Sequence, residues 1–349
     1  MFDLITNLIL PFLFILTILV FVHELGHYLA AIKNNVKVEV FSIGFGKELF
    51  GFNDKSGTRW KFSLIPLGGY VKMHGDADAA SSKKNTKVKV DERYSFYKKS
   101  IAQRQTILFA GPAANFLFSF LVLVFINCYF GFNVAKPIIS GIEPNSPAFN
   151  AGLKEGDVIL EVNNKKISDF KSLKEIINSN DSQTLNIVYS RDSKVNSLNL
   201  DVIDKKIGIK ASIETVKLGL FDSISKSAYQ IYFFVKLTLI GIYDMLSGKG
   251  GTEDLGGPIR IAELAGEFWS KGLQDTLWFM MILSLNLGLI NLFPIPMLDG
   301  GHLLLNFIEY VKGSPLKEKS LEIIHSIGLF LLLSLMVFAF YNDISRHIG

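Results

Sequence analysis

The chain has 349 residues, of which 49% are hydrophobic and 19% charged, with 29 phenylalanines and a formal net charge of +4. This balance excludes an ordinary soluble globular protein and favours an integral membrane protein, and the small net charge argues against nucleic acid as a partner. The length accommodates a membrane domain and one small soluble domain, and the single cysteine, Cys128, excludes an intrachain disulfide.

The first predicted element is a transmembrane helix over residues 1–32 that carries the sequence HELGH, from His23 to His27. No basic region or cleavage site precedes this sequence, so we expect a retained helix and not a signal peptide. On a helix, both histidines lie on one face and can bind one zinc ion, while Glu24 can take a proton from zinc-bound water. Titratable groups are costly inside a membrane, so we predict an intramembrane zinc site rather than a chance match on a solvated helix.

The loop that follows, residues 33–103, is predicted to have two parts. Residues 36–73 alternate in polarity and carry glycine turns, which indicates β-hairpins close to the membrane surface. Residues 75–93 are rich in Ala, Ser, Lys, Asn and Asp, have little to bury, and are expected to form a mobile insertion.

Further apolar stretches predict three more membrane spans, at residues 104–131, 277–306 and 323–341. Between the second and third spans lie a small soluble domain (132–217) and a juxtamembrane region (218–276). Charged residues interrupt the apolar stretch 224–246 in that region, which favours an amphipathic helix over a fifth span. Lysine and arginine in the loops 33–103 and 307–322 place both loops inside, and therefore place the N-terminus and residues 132–217 outside. Residues 342–349 form a tail.

The soluble domain is predicted to be a mixed α/β domain, with strands near residues 138–142, 158–162, 185–189 and 198–202 and a helix over residues 173–178. The fold class expected for the chain is therefore an α-helical polytopic membrane protein with about four transmembrane helices. A membrane-associated β-hairpin region and one small α/β domain complete it.

A catalytic zinc ion needs a third protein ligand besides the two histidines, and Asp299 in the third span is the best candidate. Pro294 and Pro296 break the helix just before it, which is tolerated at membrane depth where the backbone lines a cavity. At about 1.5 Å per residue, His23 and Asp299 both fall in the inner third of a core about 30 Å thick. The remaining histidines considered, at other depths or at the interface, are not expected to be ligands: His74, His302, His325 and His347.

These motifs resemble the site-2 family of intramembrane metalloproteases, and in particular its regulator-of-sigma-E protease branch. The likeness rests on HELGH, on NLFPIPMLDGGH from residue 291, and on the PDZ-like segment SGIEPNSPAFNAGLKEGDVILEVN from residue 140. AGPAANF (110–116) and IPLGGYVKM (65–73) also match that branch. The best-known member has two tandem PDZ domains, whereas this chain has room for one.

The resemblance implies that His23, His27 and Asp299 bind one zinc ion and that Glu24 is the catalytic carboxylate. It also implies that the NxxPxP segment and the hairpin region hold an extended substrate. The residues proposed for this are Asn291, Pro294, Pro296, Gly44, Phe45, Gly46, Ile65, Gly68, Gly69 and Tyr70.

The PDZ-like domain can be interpreted in two ways. It either binds a C-terminus exposed by an earlier protease, or acts as a filter that excludes substrates with bulky outer domains. Ser140, Gly141 and Ile142 are the predicted groove residues.

The predicted function is intramembrane zinc endoproteolysis of transmembrane proteins that another protease has already cut, of the anti-sigma-factor or remnant-signal-peptide type. The expected location is the bacterial inner membrane, where lipid surrounds the spans. Two alternatives stay open: a catalytically silent PDZ adaptor, which would not need an intact Glu24, and a metal transporter, which would need neither Glu24 nor a PDZ-like domain.

Overall fold

A computed structural model of the chain describes residues 5–75, 92–179, 184–202, 205–249 and 256–348. They form two compact units: a membrane unit of Met1–Ile126 with Ile224–Gly349, and a sheet unit of Asn127–Ser223. Nearly all of the predicted mobile insertion, residues 76–91, lies outside the described residues.

The helices follow the predicted order. They are α1 Leu10–Lys33, α2 Ile101–Tyr129, α3 Pro147–Asn150, α4 Phe170–Ser179, α5 Leu220–Leu246, α6 Pro258–Ser270, α7 Leu273–Asn291, α8 Asp299–Lys312 and α9 Glu318–Ile348. The strands are β1 Val38–Asn53, β2 Arg59–Met73, β3 Phe132–Ile142, β4 Val158–Val162, β5 Lys165–Lys166, β6 Thr184–Arg191, β7 Lys194–Asp201 and β8 Ile209–Val216.

Four helices of the described residues are long and apolar enough to cross a membrane, which confirms the predicted fold class. They are Thr6–Lys33, Ile101–Tyr129, Leu273–Asn291 and Lys319–Arg346. The helix α5 is not among these four. The third predicted span is divided: α7 ends at Asn291, a turn containing both prolines follows, and α8 begins at Asp299.

Close packing between α1 and α2 is set by small residues. A Cβ atom at Gly26 would overlap the backbone carbonyl of Ala110, so a larger residue would push the two helices apart. On another side of α1, Ile15 and Leu19 are buried against α6 and α7. The glycine within HELGH therefore lets α1 approach α2 directly.

Residues 38–73 form the sheet β1–β2, in which residues 40–43 pair along one edge with residues 69–72 and along the other edge with residues 59–62. Its register shifts repeatedly along the strands, and Gly44 and Gly46 have φ of +87° and +86°. Residues 50–53 also pair with residues 59–62, so the outer part of the hairpin folds back beside residues 40–43, and both glycines lie between these two parts of β1. The base of the hairpin is buried against α1 and α2 through Val36, Val38 and Ile107.

The turn of the hairpin is fixed to α1 by Asp54. The Tyr28 hydroxyl donates to Asp54 at 2.8 Å, the Trp60 indole N–H donates at 2.9 Å, and the backbone N–H of Thr58 donates at 2.9 Å. Burial alone would raise the pKa of Asp54, but the hydrogen bonds that it accepts outweigh burial and hold its pKa well below the usual range. An ionised aspartate therefore holds the turn of the hairpin beside α1.

The sheet unit is a mixed α/β fold whose strands run in the order β7-β6-β4-β3-β8, all in antiparallel pairs, with β5 beside β4. Its core includes Ile139, Leu173 and Ile187, each with 1% or less of its surface exposed. Arg191 forms an ion pair with buried Asp157 at 2.7 Å. Burial would raise the pKa of Asp157, but hydrogen bonds from Arg191 and from the backbone of Lys154 hold its pKa below the usual value.

Candidate metal centre

Three side chains from α1 and from the first turn of α8 meet inside the membrane unit. His23 Nε2 lies 3.1 Å from Asp299 Oδ2, and His27 Nε2 lies 3.4 Å from Asp299 Oδ1. The two Nε2 atoms are 3.2 Å apart. His23 and His27 are buried, with at most 9% of their surface exposed. The four-residue spacing of the histidines brings them together on α1, and the break before α8 brings Asp299 to them.

The spacing of these atoms fits a tetrahedral metal ion. Two ligand atoms at about 2.05 Å from a tetrahedral zinc ion would be about 3.3 Å apart, and the two Nε2 atoms are 3.2 Å apart. Each of these nitrogens also lies 3.1 or 3.4 Å from one oxygen of the Asp299 carboxylate, Oδ2 for His23 and Oδ1 for His27. Asp299 Oδ2 is buried without a hydrogen-bond partner. A cation bound between the two Nε2 atoms and the carboxylate would interact with all three side chains, and the imidazole and carboxylate donor set suits zinc.

Hydrogen bonds from α2 orient both imidazoles. His27 Nδ1 donates to the carbonyl oxygen of Ile107 at 2.9 Å, which leaves Nε2 without a proton and available to a metal. His23 Nδ1 faces the carboxamide nitrogen of Asn115 at 3.1 Å, while Asn115 Oδ1 is buried without a partner. A metal on Nε2 of His23 places the proton on Nδ1, so we expect the carboxamide to rotate and present its oxygen. That rotation would give Oδ1 its missing partner.

The second histidine is also held in place by shape. A Cβ atom at Gly111, on α2, would overlap the imidazole ring of His27. Gly111 and Asn115 both belong to the AGPAANF segment of the second span. In the sequence, that segment indicated only a family resemblance. A polar Asn115 inside an apolar span was the signal that could have identified its role.

Glu24 lies beside the cluster and contacts the end of β2. It accepts a hydrogen bond from the backbone of Val71. A Cβ atom at Gly69 would come within 3.3 Å of Glu24 Cγ. Since β1 pairs with Gly69, Tyr70 and Val71 along their other edge, this end of β2 connects the hairpin to the carboxylate.

A cavity of about 290 Å³ opens onto the three candidate ligands and Glu24. Of the predicted substrate-binding residues, the structure brings Gly69, Tyr70 and Asn291 to this cavity. The other predicted substrate-binding residues do not line the cavity: Gly44, Phe45, Gly46, Ile65, Gly68, Pro294 and Pro296. Within this group, the Phe45 ring is parallel to that of Tyr70, with centroids 6.1 Å apart.

The cavity also includes residues that the sequence did not indicate. His302, Asn306 and His325 line it together with the candidate ligands. The prediction that His325 lies far from the depth of the metal site is wrong, because α9 packs closely against the turn that follows α7 and His325 lines the cavity. A Cβ atom at Gly328, three residues after His325, would overlap Pro296.

The predicted groove residues of the sheet unit lie in β3, along an edge that is already paired. Gly141 pairs with Lys210 and Ile142 pairs with Ile209, both in β8, and Ser140 Oγ donates to the carbonyl of Ala211 at 2.8 Å. Among the described strands, β8 is the last of the sheet on this side. A peptide that adds a strand here would therefore pair with β8 and not with Ser140, Gly141 or Ile142.

Comparison with known proteins points to one family. The pattern of Peptidase family M50 matches residues 11–335. Relatives named "Putative zinc metalloprotease" include one from Rickettsia conorii, 40% identical, with 97% of this chain and 98% of that protein covered. Another, from Brucella suis, is 35% identical, with 98% and 96% covered, and one from Campylobacter jejuni is 36% identical, with 96% and 92% covered.

Solved structures similar to the chain include two PDZ domains. That of the SdrC-like protein from Listeria monocytogenes is 23% identical, covers 22% of this chain and 87% of that one, and has a TM-score of 0.20. The HtrA3 PDZ domain is 21% identical, covers 22% and 61%, and has a TM-score of 0.17. Likeness at these TM-scores carries no argument about the activity.

Proposed function

Since the chain belongs to peptidase family M50 and is a membrane zinc metalloprotease of the site-2 type, we propose that it hydrolyses peptide bonds within the transmembrane segments of other proteins. The observation that carries this proposal is the meeting of His23, His27 and Asp299 at tetrahedral spacing inside an apolar helical unit, next to Glu24. A protease that acts on water-soluble substrates would not need this chemistry within membrane-spanning helices.

His23, His27 and Asp299 would hold one zinc ion, with Asn115 and the carbonyl of Ile107 fixing the two imidazoles. When bound, zinc supplies a Lewis acid that polarises the scissile carbonyl and makes water nucleophilic at neutral pH. Glu24 accepts the proton of the attacking water and then gives it to the leaving amine.

A transmembrane helix must unwind before its carbonyls can be attacked, and the end of β2 is the proposed place to hold it. Gly69, Tyr70 and Val71 lie between β1 and Glu24, so a substrate strand added there would pass the carboxylate. Asn291 lines the same cavity and is proposed to bind the substrate backbone with its carboxamide. Proline substitutions that remove backbone N–H donors from the edge of β2 facing Glu24 should slow cleavage, and an unchanged cleavage rate would contradict strand addition.

The substrates and setting are proposed on sequence grounds. We propose that substrates have been cut once by another protease, as anti-sigma factors and remnant signal peptides have, and that the branch is that of regulator-of-sigma-E proteases. We propose the bacterial inner membrane as location, with the N-terminus and residues 132–217 on the periplasmic side. The lysines of loops 33–103 and 307–322 support this orientation.

The test is cleavage of a model single-span substrate by the purified full chain and by Glu24→Gln, with bound zinc quantified in both. We expect the wild type to cut, and Glu24→Gln to retain zinc and lose cleavage. Glu267→Gln is the matched control, because Glu267 is an exposed glutamate on α6 whose loss should change neither property. If both proteins hold zinc and neither cuts any trimmed substrate, the protease proposal fails. Zinc flux into liposomes would then favour a transporter, and substrate capture without cleavage would favour an adaptor.

A further inference from the structure

Two buried serines connect α2 and α7 beside the metal centre. Ser119 on α2 and Ser284 on α7 each have 0% of their surface exposed. Ser284 Oγ donates to the carbonyl oxygen of Asn115 at 3.1 Å. Ser119 Oγ lies 3.0 Å from the carbonyl oxygen of Met281 and 2.9 Å from that of Asn115. Each helix therefore presents a hydroxyl group to the backbone of the other.

The number of protons decides which hydrogen bonds form. The Ser119 hydroxyl has one proton and can donate to only one of its two neighbouring carbonyls. The carbonyl of Asn115 has two lone pairs, and these already accept from Ser284 and from the helical N–H four residues on. The proton of Ser119 therefore belongs on the carbonyl of Met281. The two serines then form reciprocal hydrogen bonds, each from one helix to the backbone of the other.

The backbone of α2 is weakest where it carries the groups that orient the two imidazoles. Pro112 lies inside α2 and has no N–H, so the carbonyl of Leu108 lacks its helical donor. Ile107 and Asn115, which hold His27 and His23, lie on opposite sides of this break. Helices kink at such a proline unless neighbouring groups hold them. The hydrogen bond from α7 to Asn115 meets α2 just after the break.

Close packing brings α7 near enough to α2 for this hydrogen bond. A Cβ atom at Gly288 would come 3.1 Å from the carbonyl oxygen of Pro112 and 3.2 Å from Asn115 Cβ. Ser284 and Gly288 are four residues apart and share one face of α7. Small residues at this spacing let membrane helices approach closely, and hydroxyl groups between them then form hydrogen bonds. The position of Asn115 is therefore set from α7 as well as from α2.

We propose that Ser284 and Ser119 are positioning residues of the metal centre. Their hydrogen bonds fix the backbone of α2 at Asn115, and the carboxamide of Asn115, 3.1 Å from Nδ1, fixes the imidazole of His23. Neither serine is among the described residues that line the cavity, so we expect neither to contact the substrate. The inference rests on the proposed function only in that His23 is a zinc ligand.

Ser284→Ala and Ser119→Ala each remove one hydroxyl group and change the packing little. An average side-chain hydrogen bond between membrane helices corresponds to about threefold in an equilibrium constant. We expect zinc affinity to fall by up to about threefold in each variant and by up to about tenfold in the double variant. The fall should be smaller than the change of about 10–100-fold expected for Asn115→Leu, which removes the carboxamide itself. The measurement is zinc competition with a chelator on the purified full chain.

Thr106→Val is the matched control for the serine variants. Thr106 also lies on α2, and its hydroxyl also donates to a backbone carbonyl, that of Ala102 at 2.9 Å. Its side chain is exposed and its hydrogen bond stays within one helix. Loss of this hydroxyl should leave zinc affinity unchanged.

Combining Ser284→Ala with Asn115→Leu separates positioning from packing. Ser284 donates to the backbone at position 115, so its hydrogen bond remains in Asn115→Leu, and removing it should still lower the unfolding temperature. Zinc affinity should not fall further, because the carboxamide through which the serine acts is already absent. A further fall as large as that in the wild-type background overturns the proposal. Wild-type zinc affinity in the double serine variant overturns it as well.

Kinetics at saturating zinc give a second readout that a purely structural role would not move. If the chain is a protease, we expect kcat to fall in the double serine variant and KM to stay unchanged, because the substrate is proposed to bind β2 and Asn291. A rise in KM alone would mean that Ser284 acts on Asn291, further along α7, and would overturn the proposal. The zinc measurement does not depend on cleavage: a chain whose zinc affinity depends on the serines but that cuts no substrate contradicts only the proposed function.

Discussion

The contact between α2 and α8 leads to the sharpest prediction. Arg104 at the start of α2 donates to Glu309 through two nitrogens, at 2.8 and 3.1 Å, and to Asn306 Oδ1 at 3.0 Å. Next to it, Gln105 Nε2 donates to the carbonyl of Leu303 at 2.9 Å. All three partners belong to α8, whose first residue is the candidate ligand Asp299. Arg104 therefore acts as a positioning residue for the metal centre.

Arg104→Met keeps the length of the side chain and removes its charge. Arg104 is 5% exposed, and Glu309 would keep a carboxylate whose side chain is only 21% exposed. Removing one partner of a buried ion pair costs about 3–5 kcal/mol, and the partial exposure of Glu309 favours the lower value. Loss of a direct hydrogen bond to a metal ligand typically lowers metal affinity by about 10–100-fold, and Arg104 acts on Asp299 only through α8, so the lower limit of about tenfold applies. We expect the dissociation constant for zinc to rise by this factor.

The assay is zinc competition with a chelator, alongside thermal unfolding of the full chain in detergent. Lys271→Met is the matched control, because Lys271 forms an exposed pair with Glu267 of α6 whose loss should change neither zinc affinity nor the unfolding temperature. Arg104→Met/Glu309→Met removes the uncompensated charge and should recover stability without recovering full zinc affinity. Unchanged zinc affinity in Arg104→Met, together with lower stability, would refute a positioning role.

Further predictions concern α2 and the sheet unit. Asn115→Leu removes the carboxamide that orients His23, so chelator competition should show zinc affinity lower by about 10–100-fold; equal affinity would mean that the ring is held by packing alone. Gly111→Ala places a Cβ atom into the imidazole of His27, and we expect the purified protein to contain less than a stoichiometric amount of zinc, with helix content by circular dichroism unchanged. The folded-state pKa of Asp157 lies below its unfolded value, so its ion pair stabilises the sheet unit above about pH 4, and that contribution is lost as the pH falls through the folded-state pKa. Protection factors of the sheet unit, which correct for the pH dependence of intrinsic amide exchange, should therefore fall on acidification in the wild type and fall less in Asp157→Asn, and identical pH profiles would contradict this assignment.

The sequence by itself determined the elements that depend on local composition. Four apolar stretches become helices able to span a membrane, because length and hydropathy are properties of each segment alone. The spacing of His23 and His27 places both rings on one face of α1, because the helical repeat fixes that relation. The choice of Asp299 as their partner needed only its depth and the prolines before it, and the structure brings the three side chains together.

Only the tertiary structure decided which residues share the cavity. The hairpin sequence did not show that Gly69 and Tyr70 reach the cavity while Phe45 and Ile65 do not, because the shifts in register between β1 and β2 decide which residues lie beside it. The order of the strands in the sheet unit could not be predicted from the sequence either. Ser140 was therefore predicted to line a groove, although its strand, β3, pairs with β8 along that edge.

Contacts between distant segments were also out of reach of the sequence. Arg104 and Glu309 are separated by 205 positions, and His302 and His325 meet only because α9 packs on the turn between α7 and α8. Composition and periodicity describe a segment and its preferred face, whereas the pairing of faces depends on the packing of all helices at once. For that reason the candidate ligands were found from the sequence, and the side chains that orient them were found only in the folded chain.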